Sequence, residues 1–124
     1  MNNHNSIHKL IVVSLIIIWT IFNFQSRNKE NLNYEDGSSI RTGETQNGVN
    51  NGLWQWYYKN GKVQLSGNFV AGKREGVWKT FDSLGVITTE SNYVDNKLNG
   101  DLILYNEKGE VKSRKKFKDD IEVK

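Results

Sequence analysis

The sequence predicts an all-β fold: a single-layer antiparallel meander of stacked β-hairpins, preceded by one N-terminal hydrophobic helix. Three observations point there. Glycines recur every 24 residues, as Gly52, Gly76 and Gly100 and as Gly37, Gly61, Gly85 and Gly109. Apolar columns keep the same period: Trp54, Trp78 and Leu102; Tyr57, Phe81 and Tyr105; Val63, Ile87 and Val111; Phe69, Tyr93 and Phe117. A run without charge, Leu10 to Phe24, stands ahead of the array.

That run, LIVVSLIIIWTIFNF, has fifteen residues. As a helix it would be about 22 Å long, at about 1.5 Å per residue, against a hydrocarbon core of about 30 Å. Ile7 and a snorkelling Lys9 extend it, and Trp19, Phe22 and Phe24 suit a membrane interface. Residues 7–24 therefore read as an uncleaved membrane anchor. A cleaved signal peptide is the alternative, although no small-residue A-x-A-like site follows the apolar core. Lys9 before the run and Arg27 and Lys29 after it leave orientation balanced; the signal-like start favours an array outside the cytoplasm. The expected organisation is an anchor or signal segment at 1–26, a linker at 27–33 and the array at 34–124. Within the array a half-repeat at 34–51 precedes repeats at 52–75, 76–99 and 100–124.

Each unit reads as strand, tight turn, strand, wider turn. Residues 53–58 and 63–70, like 77–82 with 86–94 and 101–106 with 110–118, are rich in β-branched and aromatic residues between turn signals. The tight turns carry Asp36-Gly37, Asn60-Gly61, Leu84-Gly85 and Lys108-Gly109. A two-residue type I′ loop needs φ > 0 at both positions, which suits leucine poorly. A three-residue loop, a type I turn with one left-handed glycine and a G1 bulge, needs only the glycine. In that register Tyr58 lies near Lys62, Tyr57 near Val63 and Leu53 near Gly67. Leu53, Tyr57, Val63, Leu65 and Phe69 then share the core face. Trp54, Trp56 and Trp78 lie on the other, either packed on the N-terminal residues or a second layer or open as a ligand surface.

The stretches GLWQWYYKNGKVQLSGNFVAGK at 52–73 and GVWKTFDSLGVITTESNYVDNK at 76–97 resemble the variant form of the MORN repeat (membrane occupation and recognition nexus). The chain is similar, over roughly 34–124, to the family of YwqK-type toxin–antitoxin antitoxins. The resemblance implies stacked hairpins in an elongated sheet and a role in protein contact or membrane association. It supplies no catalytic residues. Leu102 replaces tryptophan in the third unit, and Asp119-Asp120 stand where Ala71-Gly72 stand in the first. That unit reads as a cap.

Composition narrows the chemistry. The chain has 17 basic and 14 acidic residues and no cysteine or proline. Setting aside Lys9, Arg27, Lys29 and Glu30, the array is nearly neutral, unlike a general nucleic-acid binder. His4 and His8, the only histidines, precede the apolar run, so the array lacks the commonest general base and metal ligand. No enzyme, cofactor or metal is expected. Asp82, Glu90, Asp95, Asp101, Glu107, Asp119 and Asp120 fall in or beside turns, where charge is solvated. Lys112, Arg114, Lys116 and Lys118 alternate along one strand and so share a face. They are either lysine protection of an exposed edge strand or a patch for anionic lipid headgroups or an acidic partner. The expected function is a membrane-tethered scaffold contacting a protein, with direct toxin neutralisation and lipid association as alternatives.

Overall fold

The computed structural model describes residues 3–23 and 27–124, with side chains at 6–20 and 27–124. Asn3–Asn23 form helix α1. Every described side chain on it is exposed, including the large apolar ones from Ile7 to Trp19. Ser14 and Thr20 turn their hydroxyls onto the carbonyls of Ile11 and Ile17, each at 2.8 Å, which hides two polar groups on the helix's own backbone. Among the described residues no helix is long and apolar enough to cross a membrane. Phe24, the expected end of the anchor, lies outside the described residues, as does the side chain of Phe22.

Nine strands follow: β1 Arg27–Asn33, β2 Ser39–Gln46, β3 Val49–Tyr57, β4 Val63–Val70, β5 Lys73–Phe81, β6 Ile87–Val94, β7 Lys97–Tyr105, β8 Val111–Lys118 and β9 Ile121–Val123. They form one sheet in chain order, each antiparallel to the next. The expected meander is present. Residues 27–33, expected as a linker, are instead its first strand, pairing from Arg27 with Gln46 to Asn33 with Ser39. Their sequence is polar because both faces of this strand are exposed. The first unit is therefore a whole hairpin.

The tight turns have the expected three-residue form. Gly37, Gly61, Gly85 and Gly109 each donate to the carbonyl three residues back at 2.9–3.0 Å, and of the turn residues only these glycines have positive φ. The turns expected to be wider are tighter still. Asn47-Gly48, Ala71-Gly72, Asp95-Asn96 and Asp119-Asp120 are two-residue loops with both φ values positive, the type I′ signature. Gly72, Asn96 and Asp120 then donate to Asn50, Arg74 and Leu98 carbonyls at 2.8–3.0 Å. These three turns are thereby tied to the unit before them.

One further bulge decides which side chains face which way. Tyr57 pairs with Val63, as expected, but Trp56 pairs with Leu65, which leaves Gln64 as an extra residue. Thr88 and Lys112 are extra in the same way. A one-residue slip moves every later side chain to the opposite face. Leu53 consequently pairs with Asn68, not Gly67. Leu65 and Phe69 join Trp54 and Trp56, and Tyr57, Val63 and Leu53 share the other face. The single expected core stripe is split between two.

The core is built within the sheet. Trp54 is 1% exposed and Trp78 6%, with no second layer above them among the described residues. Each indole lies over a glycine of the preceding hairpin. A Cβ on Gly43 would fall 2.1 Å from Trp54, and one on Gly67 2.1 Å from Trp78. The indole N–H donates to a carbonyl beside that glycine, Trp54 to Glu44 at 3.0 Å and Trp78 to Asn68 at 3.2 Å. Phe69 stands edge-on to Trp78 with centroids 4.9 Å apart, and Trp56 sits 5.9 Å from Trp54 and 6.0 Å from Trp78. Burying one such ring is worth about 4–6 kcal/mol at most, from about 25 cal/mol per Å² over ~150–250 Å².

Candidate binding surface

The tryptophans separate by role. Trp54 and Trp78 have little ring left to offer a ligand, because glycine without a side chain lets each indole lie flat on the neighbouring strand. Trp56 is only partly buried, beside an open cleft lined by Tyr58, Leu65, Thr80 and Asp82. Arginines cover other parts of the aromatic ladder: Arg74 lies 4.0 Å from the Tyr93 centroid and Arg41 5.8 Å from that of Trp54. The geometry is that of a cation–π contact.

The opposite face carries Tyr57 with Val63, Phe81 with Ile87 and Tyr105 with Val111. Leu53, Val77 and Val111 are about half exposed there. Ile103, 9% exposed, is buried on this face near Val77. Glu90 and Asp101 flank it. Burial of the Tyr105 hydroxyl raises its pKa, and its hydrogen bond to Glu90 adds to the rise.

The basic residues divide as well. β8 is not the sheet edge, since β9 pairs with Lys116, Phe117 and Lys118. Lys112 is the bulge residue and falls outside the strict alternation; Arg114, Lys116 and Lys118 keep it. Arg114 is paired with Asp101 at 3.0 Å, and Lys115 with Glu122 at 3.0 Å. Lys112, Lys116 and Lys118 have no ion pair among the described residues. They are the β8 cations without a carboxylate partner among the described residues.

The carboxylates serve turns. Asp82 accepts from the Leu84 and Val86 amides at 2.9 Å, and Asp36 from Ser38 at 3.0 Å. The Ser38 hydrogen bonds hold the Asp36 carboxyl below its ordinary pKa. Lys73 and Asp95 pair at 2.8 Å across adjacent turns. Their hydrogen bond, then their mutual charge, raises the lysine pKa and lowers the aspartate pKa. Among the described residues no group of three or more acidic or histidine side chains is placed to hold a metal.

The seats of the tryptophans are what sequence reasoning missed. Gly43 and Gly67 are themselves 24 apart, each eleven residues ahead of its tryptophan. At the β6–β7 seam both members change together: Leu102 pairs with Ser91, a smaller side chain opposite a larger seat.

This geometry defines a tandem β-hairpin repeat protein, each unit tied to the last by an indole, a turn amide or both. The family model described as MORN repeat variant matches residues 50–71 and 74–95, the β3–β4 and β5–β6 hairpins. MORN repeats are in general modules of protein and membrane interaction. No curated protein and no solved structure matches the chain.

Proposed function

We propose that this chain is a non-enzymatic, membrane-tethered MORN-repeat module that holds a protein partner on its sheet. The carrying observation is where its aromatic rings go. They close the seams between hairpins, and both faces of the nine-strand sheet stay free of a second layer among the described residues. Such a ribbon offers surface, and large exposed surface with apolar patches marks contact. The exposed apolar side chains of α1, with Ser14 and Thr20 bonded inward, support an anchor at the membrane. The array then lies outside the cytoplasm; export after signal cleavage is the alternative.

Because the chain has no cysteine, Leu84→Cys at an exposed turn gives a single label site. Membranes from cells making this variant are washed with alkaline carbonate, labelled with an impermeant maleimide and cross-linked. The reading expects retention in the membrane, labelling from outside and a cross-linked protein partner. Release by carbonate removes the tether. Absence of any cross-linked partner removes the scaffold reading.

Two other readings have distinct signatures. Direct neutralisation of a toxin, which the antitoxin resemblance suggests, needs the array in the cytoplasm, so Leu84→Cys would stay unlabelled until the cells are opened. Association with anionic headgroups draws on the unpaired Lys112, Lys116 and Lys118. It expects salt-sensitive binding to vesicles containing phosphatidylglycerol, near ~1 kcal/mol per basic residue.

A further inference from the structure

We infer that the open cleft beside Trp56 binds a neutral sugar ring of a glycan, with the indole as platform and Gln64, Thr80, Asp82 and Thr88 bonding its hydroxyls. This goes beyond the protein-contact reading above and stands without it. The floor of the cleft is one row across three strands, because Leu65 pairs with Trp56 on one side and with Thr80 on the other. The bulges of β4 and β6 add two polar groups to the lining, since their extra residues are Gln64 and Thr88. A bulge is a device for re-aiming a side chain. The cleft is about 470 Å³, inside the usual range of small-ligand sites, about 300–1,000 Å³. The repeat changes chemistry at this point. Leu32, Trp56, Thr80 and Leu104 are equivalent by the 24-residue period, as are Ile40, Gln64, Thr88 and Lys112. Between β3 and β6 these columns set an indole beside two threonines and an amide.

The platform is held still. Trp56 leans on Trp54 and Trp78, with centroids 5.9 and 6.0 Å away, and part of its ring stays open to solvent. Much of the hydrogen-bonding capacity around it is uncommitted. Among the described residues the Gln64 amide has no partner. Asp82 gives Oδ1 to the Leu84 and Val86 amides and keeps Oδ2. Thr80 and Thr88 share one hydrogen bond at 2.7 Å, so one of the two hydroxyl protons is left to donate outward. A pyranose answers each of these groups. It carries a patch of C–H groups on one face, and the negative face of an indole attracts their partial positive charge. Its rim of hydroxyls both donates and accepts. The Gln64 amide, donor beside acceptor, matches two neighbouring hydroxyls, and Asp82 Oδ2 accepts from a third. A phosphorylated or carboxylated ligand would meet the Asp82 carboxylate and no cation in the lining. A purely apolar ligand would leave the amide and hydroxyls without partners, at a cost.

The test uses the full chain in micelles of a polyoxyethylene detergent, which carries neither sugar nor quaternary ammonium. The probes are cellobiose, maltose and diacetylchitobiose at millimolar concentration, followed by saturation-transfer NMR and tryptophan fluorescence. The expected result is transfer to the ring C–H protons of at least one disaccharide, with a fluorescence change. Trp56→Ala should abolish both. Gln64→Ala, at an exposed position that leaves the fold intact by circular dichroism, should weaken binding about 3–10-fold, as loss of one neutral hydrogen bond does. Lys79→Ala, on the opposite face, should leave binding unchanged. Binding of none of the three sugars would overturn the inference, and so would binding that Gln64→Ala leaves intact. Tighter binding of choline chloride than of any sugar would also overturn it, making the cleft an aromatic site for a cation. Failure to cross-link a protein partner bears on the scaffold reading alone.

Discussion

Replacing Gly67 with alanine tests the indole seat. The new methyl carbon would stand 2.1 Å from Cδ2 and 2.3 Å from Cε2 of Trp78, against a normal carbon contact of about 3.5–4.0 Å. The glycine lies on a paired strand and the ring is 6% exposed, so neither moves freely. If the ring stays, overpacking costs about 1–3 kcal/mol. If it lifts, it forfeits part of its burial and its bond to the Asn68 carbonyl, together about 3–5 kcal/mol. Either is large against a total stability of about 5–15 kcal/mol. Gly61→Ala is the control. Gly61 has φ +84° and nothing within 4 Å of a built Cβ, so only left-handed backbone strain of about 1–2 kcal/mol applies. Urea unfolding of the full chain in neutral micelles, followed by tryptophan fluorescence and circular dichroism, compares the two. The seat is refuted if Gly67→Ala costs no more than Gly61→Ala. Combining Gly67→Ala with Trp78→Leu should recover about 1 kcal/mol or more relative to the sum of the single changes, since the β6–β7 seam already joins a larger seat, Ser91, to Leu102.

Other perturbations separate the remaining parts. Trp54→Ala should cost about 3–5 kcal/mol by urea unfolding, and Trp56→Ala less because Trp56 is only partly buried. Ala71 holds φ 48° at the first position of a type I′ turn, where asparagine is at home; Ala71→Asn should therefore stabilise by about 1 kcal/mol, read as a rise in urea midpoint. For Lys73 and Asp95 the signs run in opposite directions. The lowered Asp95 pKa gives stability present above the ordinary 3.8 and lost as pH falls through its folded value. The raised Lys73 pKa gives stability present below 10.5 and lost as pH rises through its folded value. The Tm difference between wild type and Asp95→Asn at low salt should thus be widest between those limits and close at acid pH. A difference independent of pH would exclude the pair.

Much of the fold is written in period and turn chemistry. The 24-residue glycine spacing gives the hairpins. Leu84, unsuited to positive φ, correctly selects the three-residue loop for every unit. The type I′ turns were legible in Asn47-Gly48 and Asp95-Asn96 but masked by Ala71. The bulge at Gln64, Thr88 and Lys112 has no such mark, because three unrelated residue types fill it. Missing it sends Leu65 and Phe69 to the wrong face and makes the tryptophans look like surface. β1 was hidden by its polar sequence, which an edge strand with two wet faces permits. At the binding surface, the lysines were visible in the sequence, but which of them have partners depends on Asp101 and Glu122, and so on register.

The division of side chains between the two faces is set by the register beyond each tight turn, and a chain without cysteine allows a direct measurement. Opposed cysteines close only when their Cα atoms lie within about 7 Å and their side chains share a face. Gln55 pairs with Ser66, whereas without the bulge it would oppose Leu65. Air oxidation of Gln55→Cys with Ser66→Cys should form a disulfide, read as loss of free thiol by mass, and Gln55→Cys with Leu65→Cys should not. The reverse result would return Leu65 and Phe69 to the Tyr57 face and contradict the account.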